Sequence, residues 1–317
     1  MAVINIEDVR RAEARIAGMV EQTPLIPAQL RGHRLWLKCE NSQTGGAFKL
    51  RGASNRLLAM SPAERGRGVV AFSSGNHAQG VAIAARRLGM RAVIVMPSDA
   101  PALKIERTRA QGAEVVLYDR RREDRIAIAE ALSADSGATV VPSFDDPYIV
   151  AGQGTAGLEI LGQLGRPPAR IIIPCGGGGL AAGVALAIPT AEIVLVEPDG
   201  WDDMGRSLRG GAIVPVADDA PDTLCDALQT PRVSPITFAI LAGRGARALS
   251  VSDEVACTAI RWAWSELGLV VEPGGAVALA ALIAGKLDLV DDSVVILSGG
   301  NVDPVLHARI LAGQATR

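Results

Sequence analysis

Lysine is rare in this chain: of 32 basic residues only Lys38, Lys49, Lys104 and Lys286 are lysines, so lysine is not the general surface filler. Lys49 stands apart from the other three. It follows Gly45-Gly46 and Phe48 and opens a helical pattern at Leu50, where nearby amides favour anions over cations. Such a position lowers an amine's pKa, and only a neutral amine attacks a carbonyl to form a Schiff base. Lys38 in RLWLKCE, Lys104 after Pro101 and Lys286 before LDLV read as surface residues. Taken alone, a solvated lysine at a loop and helix junction explains Lys49 as well.

Three further segments carry chemistry. Cys175-Gly176-Gly177-Gly178-Gly179-Leu180 follows the strand-like RIIIP and leads into an Ala-rich helix. Successive amides without Cβ atoms can curl around a phosphate at the positive end of that helix, although a tight packing turn has the same composition. Ser298-Gly299-Gly300-Asn301 ends the last strand with a small hydroxyl, suited to a ring nitrogen or to a plain turn. Ser73-Ser74-Gly75-Asn76-His77 offers hydroxyls and amides to a carboxylate, or simply caps a helix. Neither GxGxxG with a suitably placed acid nor GxxxxGK[ST] occurs, which disfavours dinucleotide and P-loop sites.

The elements that must position these residues alternate. From Gly68 onward, GVVAF, AVIVM, EVVLY, ATVV, RIIIP, EIVLVE and SVVIL are separated by helical patterns, the mark of parallel βαβ units. A length of 317 residues exceeds one core, and 49% hydrophobic residues with only 3% aromatic ones calls for a core of Ala, Val, Leu and Ile. Residues 67–143 are expected to form a small mobile substrate domain, inserted between residues 1–66 and 144–317 of a larger domain, with a ligand cleft between them. A net charge of -2 gives no field for nucleic acid or anionic lipid. The apolar runs are about half the roughly 20 residues that cross a bilayer, no signal-like segment opens the chain, and the four dispersed cysteines read as reduced, so a cytoplasmic protein is expected.

In order and spacing the segments resemble the fold type II pyridoxal-phosphate (PLP) enzymes, specifically the serine/threonine dehydratase and serine racemase group. GAFKLRGA resembles the Schiff-base segment, SSGNHAQG the substrate loop, CGGGGL the phosphate cup and SGGNVD the segment at the pyridine nitrogen. The resemblance implies a two-lobed α/β fold like that of the tryptophan synthase beta subunit, with open parallel sheets flanked by helices. It implies Lys49 as the Schiff-base lysine, Phe48 beside the cofactor, and Asn76 at the ring hydroxyl. Gly176, Gly177, Gly178, Gly179 and Leu180 would hold the phosphate, and Ser298 the ring nitrogen. Ser73, Ser74, His77 and Arg125 would line the substrate carboxylate site, with Ser74 as the second catalytic residue if racemisation occurs. Glu197, Trp201 and Asp203 resemble a divalent-cation loop, which implies Mg2+ or Ca2+.

Cys225-Asp226-Ala227 replaces an Ala-Asp-Gly segment frequent in the family, and the residues around Gly274-Gly275 match no one substrate specificity. The resemblance implies dehydration of L-threonine or L-serine to a 2-oxo acid and ammonia, in a homodimer. Serine racemase and 3-hydroxyaspartate dehydratase are alternatives within the group. A non-catalytic PLP or amino-acid sensor is the alternative of another class.

Overall fold

The computed structural model describes residues 4–73, 75–100 and 102–314. Each β-branched run named above becomes a strand, and the described residues hold ten. In chain order they are β1 (Leu25–Leu30), β2 (His33–Cys39), β3 (Val69–Phe72), β4 (Ala92–Pro97), β5 (Glu114–Tyr118), β6 (Thr139–Val140), β7 (Arg170–Pro174), β8 (Glu192–Pro198), β9 (Arg247–Val251) and β10 (Ser293–Leu297). They form a six-stranded sheet in the order β1-β2-β10-β7-β8-β9 and a four-stranded sheet in the order β5-β4-β3-β6.

All neighbours pair in parallel except β1 with β2. That antiparallel pair turns through Arg31 and Gly32, both at positive φ, as a two-residue hairpin of matching twist requires. Pro27 sits in β1, where an edge strand tolerates the missing N–H. Strands β4 and β10 are buried along their whole length, because helices cover both faces of a parallel sheet.

The parallel arrangement decides where the loops meet. β10, β7 and β8 are adjacent and run the same way, so their C-terminal ends at Ser298, Cys175 and Asp199 open on one edge. Helices 179–187 and 273–283 are apolar on every side and almost wholly buried against the large sheet. The apolar cluster under the small sheet joins Val69, Ile94 and Val81 to Leu50, Ala53 and Leu57 of helix 49–58 and to Ile149 of helix 147–164. The helix that begins at Lys49 therefore packs beneath the small sheet while its N-terminus lies against the end of β10. No helix among the described residues is long and apolar enough to cross a membrane.

Candidate active site

Gly45 and Gly46 both take positive φ and turn the chain back on the SGGN loop. Gly300 N donates to Gly46 O at 2.8 Å, Ala47 bridges to Gly299, and Phe48 N donates to Ser298 O at 3.2 Å. Lys49 is thereby fixed beside Ser298. Its Nζ lies 5.1 Å from the Phe48 ring centroid and donates to Ser143 O at 3.0 Å. No carboxylate among the described residues pairs with it, and burial pulls its pKa down to about 8.

The glycine loop closes the next side. Gly178, at φ +82, caps helix 179–187, and the amides of Gly176, Gly177 and Gly178 donate to no acceptor among the described residues. A Cβ on Gly177 would overlap the Phe144 ring, and one on Gly178 would press on Met204 Cε at 2.7 Å. Ser143-Phe144 thus spans from the lysine to the glycines. Leu180 follows in the first turn and is buried.

Ser298 is buried at the end of β10. Asn76, which begins helix 76–87, joins the SSGNH loop to the other two: Asn301 Nδ2 donates to Asn76 Oδ1 at 2.8 Å and to Gly45 O at 2.7 Å. Ser73 accepts from Gly75 N at 3.2 Å, and Ser74 lies outside the described residues. His77 is buried with Nε2 at 2.9 Å from Val141 O, so that nitrogen carries the proton and the unpartnered Nδ1 can only accept. Burial, then Lys49, push its pKa down to about 3, which leaves no positive charge for a carboxylate. Arg125 opens helix 125–136 with its guanidinium 5.7 Å from the Phe72 ring, one residue before Ser73.

Two residues that motif reading passed over belong to the same cluster. Phe144 is one. Glu272, 4% exposed, accepts from Asn76 Nδ2 at 2.6 Å, and burial, then Asp226, raise its carboxyl to about 7. Its signal was an acid before Pro273-Gly274-Gly275, but its partner is 196 residues away.

A family profile described as "Pyridoxal-phosphate dependent enzyme" matches residues 16–299. An L-threo-3-hydroxyaspartate ammonia-lyase from Pseudomonas sp is 42% identical over 99% of this chain and 100% of its own length. The chain is a fold type II PLP-dependent enzyme of the serine/threonine dehydratase and serine racemase family. A serine racemase from Schizosaccharomyces pombe (strain 972 / ATCC 24843) is 39% identical over 96% of this chain and 97% of that one. The structure of maize serine racemase superposes with a TM-score of 0.91 at 34% identity, covering 98% of this chain and 98% of that one. The residues present fit the cofactor of this PLP-dependent family: a buried amine with no carboxylate partner among the described residues stands among loops whose unused amides head a helix.

The acidic loop lies behind the glycines. Glu197, at the end of β8, is fully buried and accepts from Met204 N at 2.9 Å and Gly205 N at 2.8 Å. Neither oxygen of buried Asp203 has a well-formed hydrogen bond among the described residues. Burial first of all raises Glu197 to about 8 and Asp203 to about 7. Trp201 spends its indole N–H on Pro221 O at 2.7 Å. No group of three or more His, Cys, Asp or Glu close enough to hold a metal occurs among the described residues, so a cation here would rest on two carboxylates with carbonyl and water oxygens.

The reading of Lys38 as a surface residue is corrected. It is fully buried, bonded to Glu159 at 2.6 Å, Thr23 O at 2.8 Å and Gln163 at 3.0 Å. Glu159 in turn pairs with Arg51, which also grips Glu40. RLWLKCE does form the expected strand, but its inward face meets acids far away in sequence.

Proposed function

We propose that this enzyme is an ammonia-lyase that eliminates water from a small β-hydroxy amino acid, the released dehydrated product then taking up water as it hydrolyses to a 2-oxo acid and ammonia. The observation that carries the reading is Lys49, a buried amine without a carboxylate partner at the point where the loops converge. PLP bound in this cleft supplies an electron-withdrawing ring conjugated to the substrate nitrogen, which acidifies the substrate Cα. The chain's own residues do the rest. Lys49 Nζ takes the Cα proton. The Gly176, Gly177, Gly178, Gly179 and Leu180 amides receive the phosphate, and Phe48 packs beside the ring. Asn76 meets the ring hydroxyl. Ser298 gives the ring nitrogen a neutral partner, which favours rapid loss of the β-hydroxyl over long storage of charge.

Ser73 and Ser74 take the substrate carboxylate, and Arg125 reaches it as residues 67–143 close over the cleft as a small lobe. His77, neutral and tied to Val141, supports that loop. The Pseudomonas relative supports L-threo-3-hydroxyaspartate as a substrate beside L-serine and L-threonine. Mg2+ or Ca2+ at Glu197, Asp203 and the Trp201 carbonyl steadies the loop behind the glycines, a role supported by the Asp203 oxygens, which are buried without a well-formed hydrogen bond among the described residues. A cytoplasmic homodimer completes the proposal, supported by four buried free thiols and by exposed Trp264 and Val305 on neighbouring helices.

The Schizosaccharomyces pombe relative favours racemisation as a second reading, with Ser74 as the base on the opposite ring face. PLP-loaded protein is incubated with L-serine, D-serine, L-threonine and L-threo-3-hydroxyaspartate, and 2-oxo acid and enantiomer ratio are measured together. The proposal expects 2-oxo acid from at least one L-hydroxy acid, lost in Lys49→Ala. Enantiomer exchange without 2-oxo acid would replace it with the racemase. No turnover of any substrate would leave a binding protein.

A further inference from the structure

Glu272 is a buried carboxylate to which the reaction outlined above gives no task. Its one side-chain hydrogen bond among the described residues goes to Asn76. Its amide donates to Gly299 O at 3.0 Å, and the carboxylate occupies the space a Gly299 Cβ would fill: such a Cβ would overlap Oε1 and stand 3.0 Å from Cδ. Glycine beside Ser298 is therefore what lets an acid reach this position.

The orientation of the Asn76 amide follows from its neighbours. Gly45 O can only accept, so the group Asn301 turns to it at 2.7 Å must be its NH2. The same Nδ2 faces Asn76 at 2.8 Å, so the atom it meets there must be the acceptor Oδ1. The Asn76 NH2 is thereby turned the other way, toward Glu272 Oε1 at 2.6 Å. An amide nitrogen carries two N–H groups in one fixed plane. With the oxygen held by Asn301 and one N–H held by Glu272, the second N–H has a set direction and can act only as a donor.

We propose that Glu272 is a positioning residue for the cofactor's ring hydroxyl, acting through Asn76 to hold that amide as a hydrogen-bond donor toward the ring oxygen. The inference rests on the reading that PLP lies in this cleft with Asn76 at its ring hydroxyl. A donor fixed there favours the ring oxygen as an anion and the charged, visibly absorbing form of the bound cofactor. Without Glu272 only Asn301 holds the Asn76 amide, and whenever the amide turns its oxygen to the ring the form that absorbs in the near ultraviolet gains.

The test is the ratio of visible to near-ultraviolet absorbance of bound PLP at fixed pH, with thermal melting recorded alongside. Glu272→Leu removes the acceptor and is expected to lower the ratio about five-fold, equivalent to roughly 1 kcal/mol, one hydrogen bond. Glu272→Gln keeps the shape and an acceptor oxygen, and is expected to restore most of the wild-type ratio. In an Asn76→Ala background, Glu272→Leu is expected to change little more, because the effect passes through Asn76. An unchanged ratio in Glu272→Leu, or an equal shift with and without Asn76, overturns the proposal while the wild-type band upholds the cofactor reading. Absence of any visible band in PLP-treated wild type overturns both. If Glu272→Leu fails to fold, Glu272→Ala takes its place, removing the acceptor without setting a branched apolar side chain against Asn76: a lowered ratio supports the proposal, and an unchanged ratio overturns it.

Discussion

At Lys49 the decisive quantity is the fraction of amine that carries no proton. Burial brings its pKa from the ordinary lysine value down to about 8. The neutral fraction then rises from about a tenth at pH 7 to about nine-tenths at pH 9 and is nearly complete beyond that. The rate at which apoprotein takes up PLP, followed by visible absorbance, should therefore rise about ten-fold between pH 7 and 9 and then level off. An unshifted lysine would give a rate that climbs about a hundred-fold over the same interval and continues past pH 10. His77, held near 3, adds no step to this profile. Lys49 was legible because its neighbours in sequence, two glycines and a helix start, create its surroundings. Lys38 was not, because Glu159 and Gln163, which bury it, lie 121 and 125 residues away. Glu272 was hidden in the same way, since only folding brings Asn76 to it.

The helix 49–58 is held in place by charge as well as by packing. Arg51 reaches Glu40 after β2 at 2.8 Å and Glu159 on helix 147–164 at 2.6 Å, and Lys38 shares Glu159. Burial would raise the Glu40 carboxyl, but Arg51, joined by Lys38 and the Thr23 hydroxyl, more than offsets it and holds it below the usual range. Glu159→Gln leaves two buried cations against one acid and should cost about 3–5 kcal/mol, read as a lower urea midpoint. A loss within about 0.5 kcal/mol would show that the network is solvated enough to do without Glu159. Most strands could be read from their β-branched runs, since a strand buried on both faces has little freedom in composition. β1 and β9 could not. LIPAQL carries a proline and a glutamine that only an edge strand accepts, and RALSV is half exposed at the opposite edge.

Across the whole molecule, parallel strand order delivers the glycine loop, the acidic loop and Ser298 to one edge of the large sheet, while Asn76 and Arg125 come from the segment that builds the small one. Met204, next to Asp203, packs against Gly178, so a cation on the acidic loop would steady the glycine loop from behind. Mg2+ or Ca2+ should raise the melting temperature relative to excess chelator, and Glu197→Ala should remove that response while PLP still binds. At 100 times its dissociation constant such a cation adds about 2.7 kcal/mol of stability. Equal melting with cation and with chelator would remove the site. The order of the loops along the chain was legible, and their convergence followed from the family resemblance and not from local pattern, because it depends on β10 inserting between β2 and β7. One lysine among four carries the proposed chemistry. Borohydride reduction of the PLP-loaded protein followed by peptide mapping of the full chain should find the pyridoxyl group on Lys49 and lose it in Lys49→Ala. A label on Lys38, Lys104 or Lys286, with Lys49 unmodified, would contradict it.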